Sequence, residues 1–180
     1  MTHVRTRPEA APLILAGLSI LLQIGWILVP AGERVVVTTL VVIMFTAASL
    51  SHAYIWFGRS WTLRFAAIAA GFGLVVELLG HTTGVPFGAY EYSGALQSQI
   101  LGVPAIIPLA WLMMAYPVLV LARAVTRRWV VPLAAMGLTT WDLFLDPQMV
   151  GEGYWTWASP EPALPGIPGI PAQNYLGWLL

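Results

Sequence analysis

The stretch VVVTTLVVIMFTAASLSHAYIWF runs from residue 35 to residue 57 without a charged side chain. At helical rise it covers about 35 Å, enough to cross the ~30 Å hydrocarbon core of a bilayer. Arg34 and Arg59 flank it. Working outward, comparable apolar runs occupy residues 13–30, 63–80, 103–122 and 129–146, and a sixth starts at Tyr175 and meets the chain end at Leu180. The polar interruptions of the first run are Ser19 and Gln23. Its length and the lack of a small-x-small site read as a helix rather than a secretory leader. The pattern predicts an all-α fold. It is a polytopic transmembrane bundle forming one domain over residues 1–180, with five full spans and a truncated sixth.

Composition agrees. Hydrophobic residues make up 58% of the chain and charged residues 9%, against about a quarter charged in a soluble domain. A soluble chain this short has too much surface to hide that apolar content. There is no Cys, which excludes disulfide frameworks and thiolate-held iron. Three His (His3, His52, His81) are too few for a histidine-rich di-iron oxygenase. Net charge is zero, and no basic block is dense enough for nucleic acid. No cofactor and no metal site is expected.

All eight basic residues are Arg. Arg5, Arg7, Arg59, Arg64, Arg123, Arg127 and Arg128 fall on one side of the predicted spans and Arg34 on the other, which predicts a cytoplasmic N-terminus in the plasma membrane. The acids are distributed in the opposite sense. All except Glu9 lie in the outer half or the outer loops, and insertion does not require that.

Glu77 and Asp142 sit at similar distances past Arg64 and Arg128, about 20 Å up from the inner boundary at helical rise. Two spans therefore place a carboxyl at one depth below the outer interface. Intramembrane acids are costly and face a partner or a cavity. Each acid reads either as half of a shared reactive site or as a neutral carboxyl bonded to a neighbouring helix. Glu77 and His81 are spaced i,i+4, as are Asp142 and Asp146. Gly80 and Gly84 are expected to end the third helix and Pro147 the fifth. That puts both pairs at helix C-termini, where dipole and burial favour the protonated, proton-donating form. A plain turn at Asp146-Pro147 is the alternative for that residue. His52 reads as a packing residue, and the aromatic, Gly- and Pro-rich segments 81–102 and 147–174 read as packed turns folded over the site.

The run Glu77-Leu-Leu-Gly-His81-Thr-Thr-Gly84-Val-Pro86-Phe87-Gly88-Ala-Tyr90-Glu-Tyr92 resembles the membrane carotenoid biosynthesis protein family, which includes hydratases of acyclic carotenoid ends. The likeness continues at Pro104…Pro108-Leu-Ala-Trp111 and Trp141-Asp142-Leu-Phe-Leu-Asp146-Pro147-Gln148. It extends through Gly153-Tyr154-Trp155-Thr-Trp157 to Asn174-Tyr175, covering roughly residues 70–178. Members usually continue for further helices, so the chain is expected to be a fragment or a truncated homologue. The resemblance implies water addition to the terminal double bond of an acyclic carotenoid end group, giving a tertiary alcohol. The partners would be a carotenoid, water, membrane lipid and other carotenoid biosynthesis enzymes. In that reading Asp142 is the general acid, with Glu77 and Asp146 sharing protons and orienting water. Trp141, Tyr90, Tyr92 and Trp155 face the cation, Phe87 lines the substrate site, and His81 and Asn174 hold water or the new hydroxyl.

Two other classes compete. The Asp142-x-x-x-Asp146 spacing suits a Mg-dependent intramembrane prenyl-group enzyme, but the outer loops carry no Arg or Lys after Arg34 for a diphosphate. Glu77 and Asp142 suit a proton-coupled transporter, but the inner half offers no matching polar groups.

Overall fold

The structure, a computed structural model, describes residues 10–180. Arg5, Arg7, Glu9 and His3 lie outside the described residues. The helices are α1 (Ala10–Trp26), α2 (Arg34–Phe57), α3 (Arg59–Thr83), α4 (Ile107–Val125), α5 (Val130–Gly151) and α6 (Ala172–Trp178), with a 3-10 turn at Ala31–Glu33 before α2. Three of them, α2 with its preceding turn, α3 and α4, are long and apolar enough to cross a membrane, while α1 is a shorter apolar helix. The bundle is apolar outside and polar within. Leu21, Ile24, Ile68 and Phe72 face outward, whereas Glu77, Asp142, Asp146 and Asn174 are buried. A bilayer explains that inversion, because its core solvates hydrocarbon and not carboxyl groups.

Helix α2 packs against α1, α3 and α4, and α4 packs in turn on α3 and α5. Pro117 lies inside α4, so the Met113 carbonyl lacks its usual helical N–H partner. The Ser49 hydroxyl of α2 donates to that carbonyl at 3.2 Å, and one turn away Thr46 donates to the Leu109 carbonyl at 3.2 Å. Hydroxyls in one helix thus satisfy the backbone of another and hold the pair together. Between α3 and α4 the contact is closer still. A Cβ placed on Gly73 would lie 2.5 Å from Trp111 Cγ.

Two expectations need correction. Helix α5 does not stop at Pro147; it continues to Gly151 with the proline inside it. Pro147 removes one N–H, but the turn beyond it is secured by Glu152 and Tyr154, whose N–H groups donate to the Gln148 and Met149 carbonyls at 3.0 Å each. Asp142 therefore lies more than two turns from its helix end, too far for the dipole argument to apply. The fold is also not purely helical. The connections contain strands β1 (Tyr90–Tyr92), β2 (Gln99–Ile100), β3 (Val103–Pro104), β4 (Trp155–Trp157), β5 (Ala163–Leu164) and β6 (Ile167–Pro171). They pair antiparallel as β1–β4, β2–β3 and β5–β6. Strands of two to five residues are too short to impose a readable alternation, and the Gly and Pro around them mask it.

The β1–β4 pair is the element that matters for the site. Its register sets Tyr90 opposite Trp157 and Tyr92 opposite Trp155. Residues i and i+2 of a strand share a face, so both tyrosines and both tryptophans point the same way, into the protein. Helix α3 ends where expected, with Gly84 in the left-handed region (φ 74°) and its N–H on the Gly80 carbonyl at 2.8 Å. That turn sends the chain back so that β1 covers the end of α3.

Candidate active site

Glu77 of α3 receives three donors. The Tyr90 and Tyr92 hydroxyls donate to Oε2 at 2.5 and 2.7 Å, and Trp111 Nε1 of α4 donates to Oε1 at 2.8 Å. Indole N–H can only donate. Burial, with the charge of Glu77 beside it, pushes both phenols well above the usual tyrosine range. They stay protonated and donate as well. Gly80, one turn past Glu77, admits the Tyr90 ring, since a Cβ there would lie 2.9 Å from the hydroxyl.

On α5, Asp142 and Asp146 stand one turn apart and are bridged by one amide. Asn174 Nδ2 of α6 donates to Asp142 Oδ2 at 2.8 Å and to Asp146 Oδ2 at 2.6 Å. Trp155 Nε1 of β4 donates to Asp146 Oδ1 at 3.2 Å. Asp142 is 1% exposed and Asp146 4%, so neither group is solvated by bulk water.

These two clusters share one small cavity of about 60 Å³. Glu77, Asp142, Asp146 and Asn174 line it, with Tyr90, Tyr92, Trp111, Trp155 and Trp178 among its aromatic walls. That volume corresponds to about two waters. A second cavity of about 490 Å³ lies beside it and shares Ile107, Ala110, Leu145 and Trp155 as common wall. Apart from Gln23, Thr38, Thr39 and Gln148, its lining is hydrocarbon and aromatic, from Trp26 and Ile27 across Val42 and Phe45 to Trp141 and Phe144. Its size falls in the range of small-molecule sites, roughly 300–1,000 Å³.

Over residues 37–180 the sequence matches the carotenoid biosynthesis protein family. The chain belongs to that family. It is 36% identical over 114 residues to a protein of Haloarcula japonica named bisanhydrobacterioruberin hydratase. The match takes in 58% of this chain and 36% of that relative. No solved structure matches the chain.

Within this carotenoid biosynthesis protein, eight of the ten residues singled out from sequence lie on the small cavity: Glu77, Phe87, Tyr90, Tyr92, Asp142, Asp146, Trp155 and Asn174. His81 and Trp141 do not. The His81 ring stands 6.0 Å from the Tyr92 ring, on centroids, and its Nε2 lies 3.0 Å from where a Gly102 Cβ would be. Its Nδ1 is buried with no hydrogen-bond partner among the described residues. Trp141 packs on Phe45 at 5.7 Å and lines the large cavity. Sequence reasoning missed Trp111, the third donor to Glu77, which stacks on Trp178 at 4.5 Å. It also missed Trp157, which closes the pocket and donates to the Phe87 carbonyl at 2.9 Å. The repeated aromatic-x-aromatic pattern at 90–92 and 155–157 was the available signal for two strand faces turned to one site. His52 accounts for itself by pairing Nδ1 with the Tyr116 hydroxyl at 2.6 Å.

Proposed function

We propose that this protein hydrates the terminal double bond of an acyclic carotenoid end group by acid catalysis. The observation that carries the reading is the convergence of three buried carboxyls on a cavity of two-water size beside a much larger hydrocarbon-lined one. The name of the Haloarcula japonica relative supports the same class of reaction.

Two adjacent buried carboxyls do not both ionise, because like charges so close repel. The Asp142–Asp146 pair therefore holds a shared proton, with the Asn174 amide fixing both groups. Asp142 gives that proton to the less substituted alkene carbon, and the π electrons form the new C–H bond. The positive charge left on the tertiary carbon faces the Glu77 carboxylate and the rings of Tyr90, Tyr92 and Trp155. A water oxygen bonds to that carbon, and its surplus proton returns to the aspartate pair. Alkene and water are consumed, one tertiary alcohol is formed, and the enzyme is restored. Three donors compensate the negative charge of Glu77, which casts it as fixed counter-charge rather than proton source. His81 acts by backing Tyr92, and Trp141 contacts the hydrocarbon arm.

The reading has α1 and α5 cross the bilayer beside α2, α3 and α4, with α6 opening a sixth segment and the N-terminus cytoplasmic. The decisive experiment is expression in a host that makes acyclic carotenoids, followed by mass analysis of the pigments. Wild type should add one water mass per reacting end and Asp142→Asn none, with equal amounts of inserted protein. Hydration by Asp142→Asn at the wild-type rate refutes the assignment.

A further inference from the structure

The large cavity has a side opening. Helix α1 packs along α2 and meets α5 at most marginally. Yet Gln23, Trp26 and Ile27 at the end of α1 line the same cavity as Trp141, Phe144 and Gln148 of α5. Two of these residues lie on both sides of the wall. Ile27 is 71% exposed and Phe144 79% exposed, although each also borders the cavity. Side chains that are at once cavity lining and outer surface mark a mouth. The same two helices expose apolar groups such as Ile20 and Ile24 of α1 and Met136 of α5, so we read the mouth as facing lipid.

We infer that the gap between the end of α1 and the Phe144 face of α5 is a lateral portal through which a membrane-dissolved polyene reaches the acid pocket. The inference rests on the proposed function for the identity of the occupant, and it adds the route and the residues that form it. The occupant is a flexible isoprenoid hydrocarbon. It follows from the apolar walls, from the opening toward lipid and from the wall of Ile107, Ala110, Leu145 and Trp155 that this cavity shares with the carboxyl pocket. Helix α5 works with two neighbouring faces. Positions 141, 144, 145 and 148 guide the arm, while 142 and 146 present acid to its tip. Phe144 is the gate residue.

The chain has no cysteine, so an introduced one is a unique handle. Phe144→Cys and, as a lipid-facing control, Ile68→Cys on α3 are made in an Asp142→Asn background, so that loading is read without turnover. Each purified full chain is alkylated after folding with a bulky maleimide, then offered lycopene from vesicles, and bound polyene is followed by absorbance. Alkylation at 144 should slow loading by about tenfold or more, and alkylation at 68 should leave it unchanged. Equal loading after both alkylations overturns the portal, as does failure of the unalkylated variants to take up polyene. As a second arm, Val42→Trp narrows the cavity from α2 and should lower the bound polyene at least severalfold; undiminished loading counts against the cavity as the site. Gated loading in a protein whose Asp142 form adds no water sinks the chemistry and leaves the portal standing. Ungated loading with hydration intact does the reverse.

Discussion

Under the proposed reaction, the two cavities divide the work that acid catalysis on a hydrocarbon would require. The small one gathers Glu77, Asp142, Asp146 and Asn174 and is built from five elements: α3, α4, α5, α6 and the β1–β4 pair. The large one is about eight times the volume, draws on α1, α2, α4, α5 and β4, and has no charged side chain among the described residues that line it. Acids are confined where five of the six carboxyl oxygens meet a fixed donor, and no acid lines the cavity proposed for the oily arm. The contrast shows why so many loop residues are needed. A helix bundle alone can enclose an apolar slot, but three of the five donors to the acids, Tyr90, Tyr92 and Trp155, come from the strands and not from the helices.

Several substitutions sharpen or break that contrast. The largest effect is expected for Asp142→Asn, which leaves an isostere beside Asn174 but no acid. Hydration should fall by about 10²–10⁴ while polyene loading is retained, as measured by pigment mass and bound absorbance. Next comes Glu77→Gln. Its amide N–H group confronts one or more of the donors Tyr90, Tyr92 and Trp111, and the counter-charge is gone. Turnover should drop by about 10²–10³, and turnover within twofold of wild type would reassign Glu77 to a purely structural role. A third test bears on the frame between the clusters. Gly73→Ala drives a methyl into Trp111 Cγ, next to backbone that cannot swing aside, so α3 and α4 must part. Thermal unfolding in detergent should register a loss of about 1–3 kcal/mol. The smallest effect is predicted at the outer rim, where Arg34 pairs with Glu152 at 2.6 Å and lies over the Trp26 ring at 4.4 Å. Arg34→Ala should cost about 1 kcal/mol, since partly exposed ion pairs contribute little. Chelation of divalent metal should leave hydration unchanged, because the aspartate oxygens already face the Asn174 and Trp155 N–H donors. Loss of activity with chelator would instead favour the metal-dependent prenyl-group reading.

Much of the architecture was legible because the bilayer is an undemanding reader. An uncharged run such as 35–57 has few alternatives to a membrane helix, and residues as far apart as Glu77 and Asp142 betray themselves by being costly at their depth. Helix ends were less legible. Gly84 terminates α3 through its own backbone freedom, a local property, but Pro147 fails to terminate α5 because neighbouring turns and β4 support the helix beyond it. Strands β1 and β4 escaped notice because each is stabilised by a partner some 65 residues away in the chain, Tyr90 by Trp157 and Tyr92 by Trp155, and the local pairs β2–β3 and β5–β6 are too short to show an alternation. Trp111 escaped for the same reason, as one more aromatic on an apolar helix until α3 brings Glu77 to it.

By itself the sequence determined the solvent, the main helices and the presence of unusual acids, because those follow from composition and from the cost of charge in lipid. Only the tertiary structure decided which donors meet which carboxyl, that His81 and Trp141 stand off the acid pocket, and that a second cavity opens toward the bilayer between α1 and α5. Those outcomes depend on angles and distances between segments remote along the chain, and hydrophobic patterning carries no record of them.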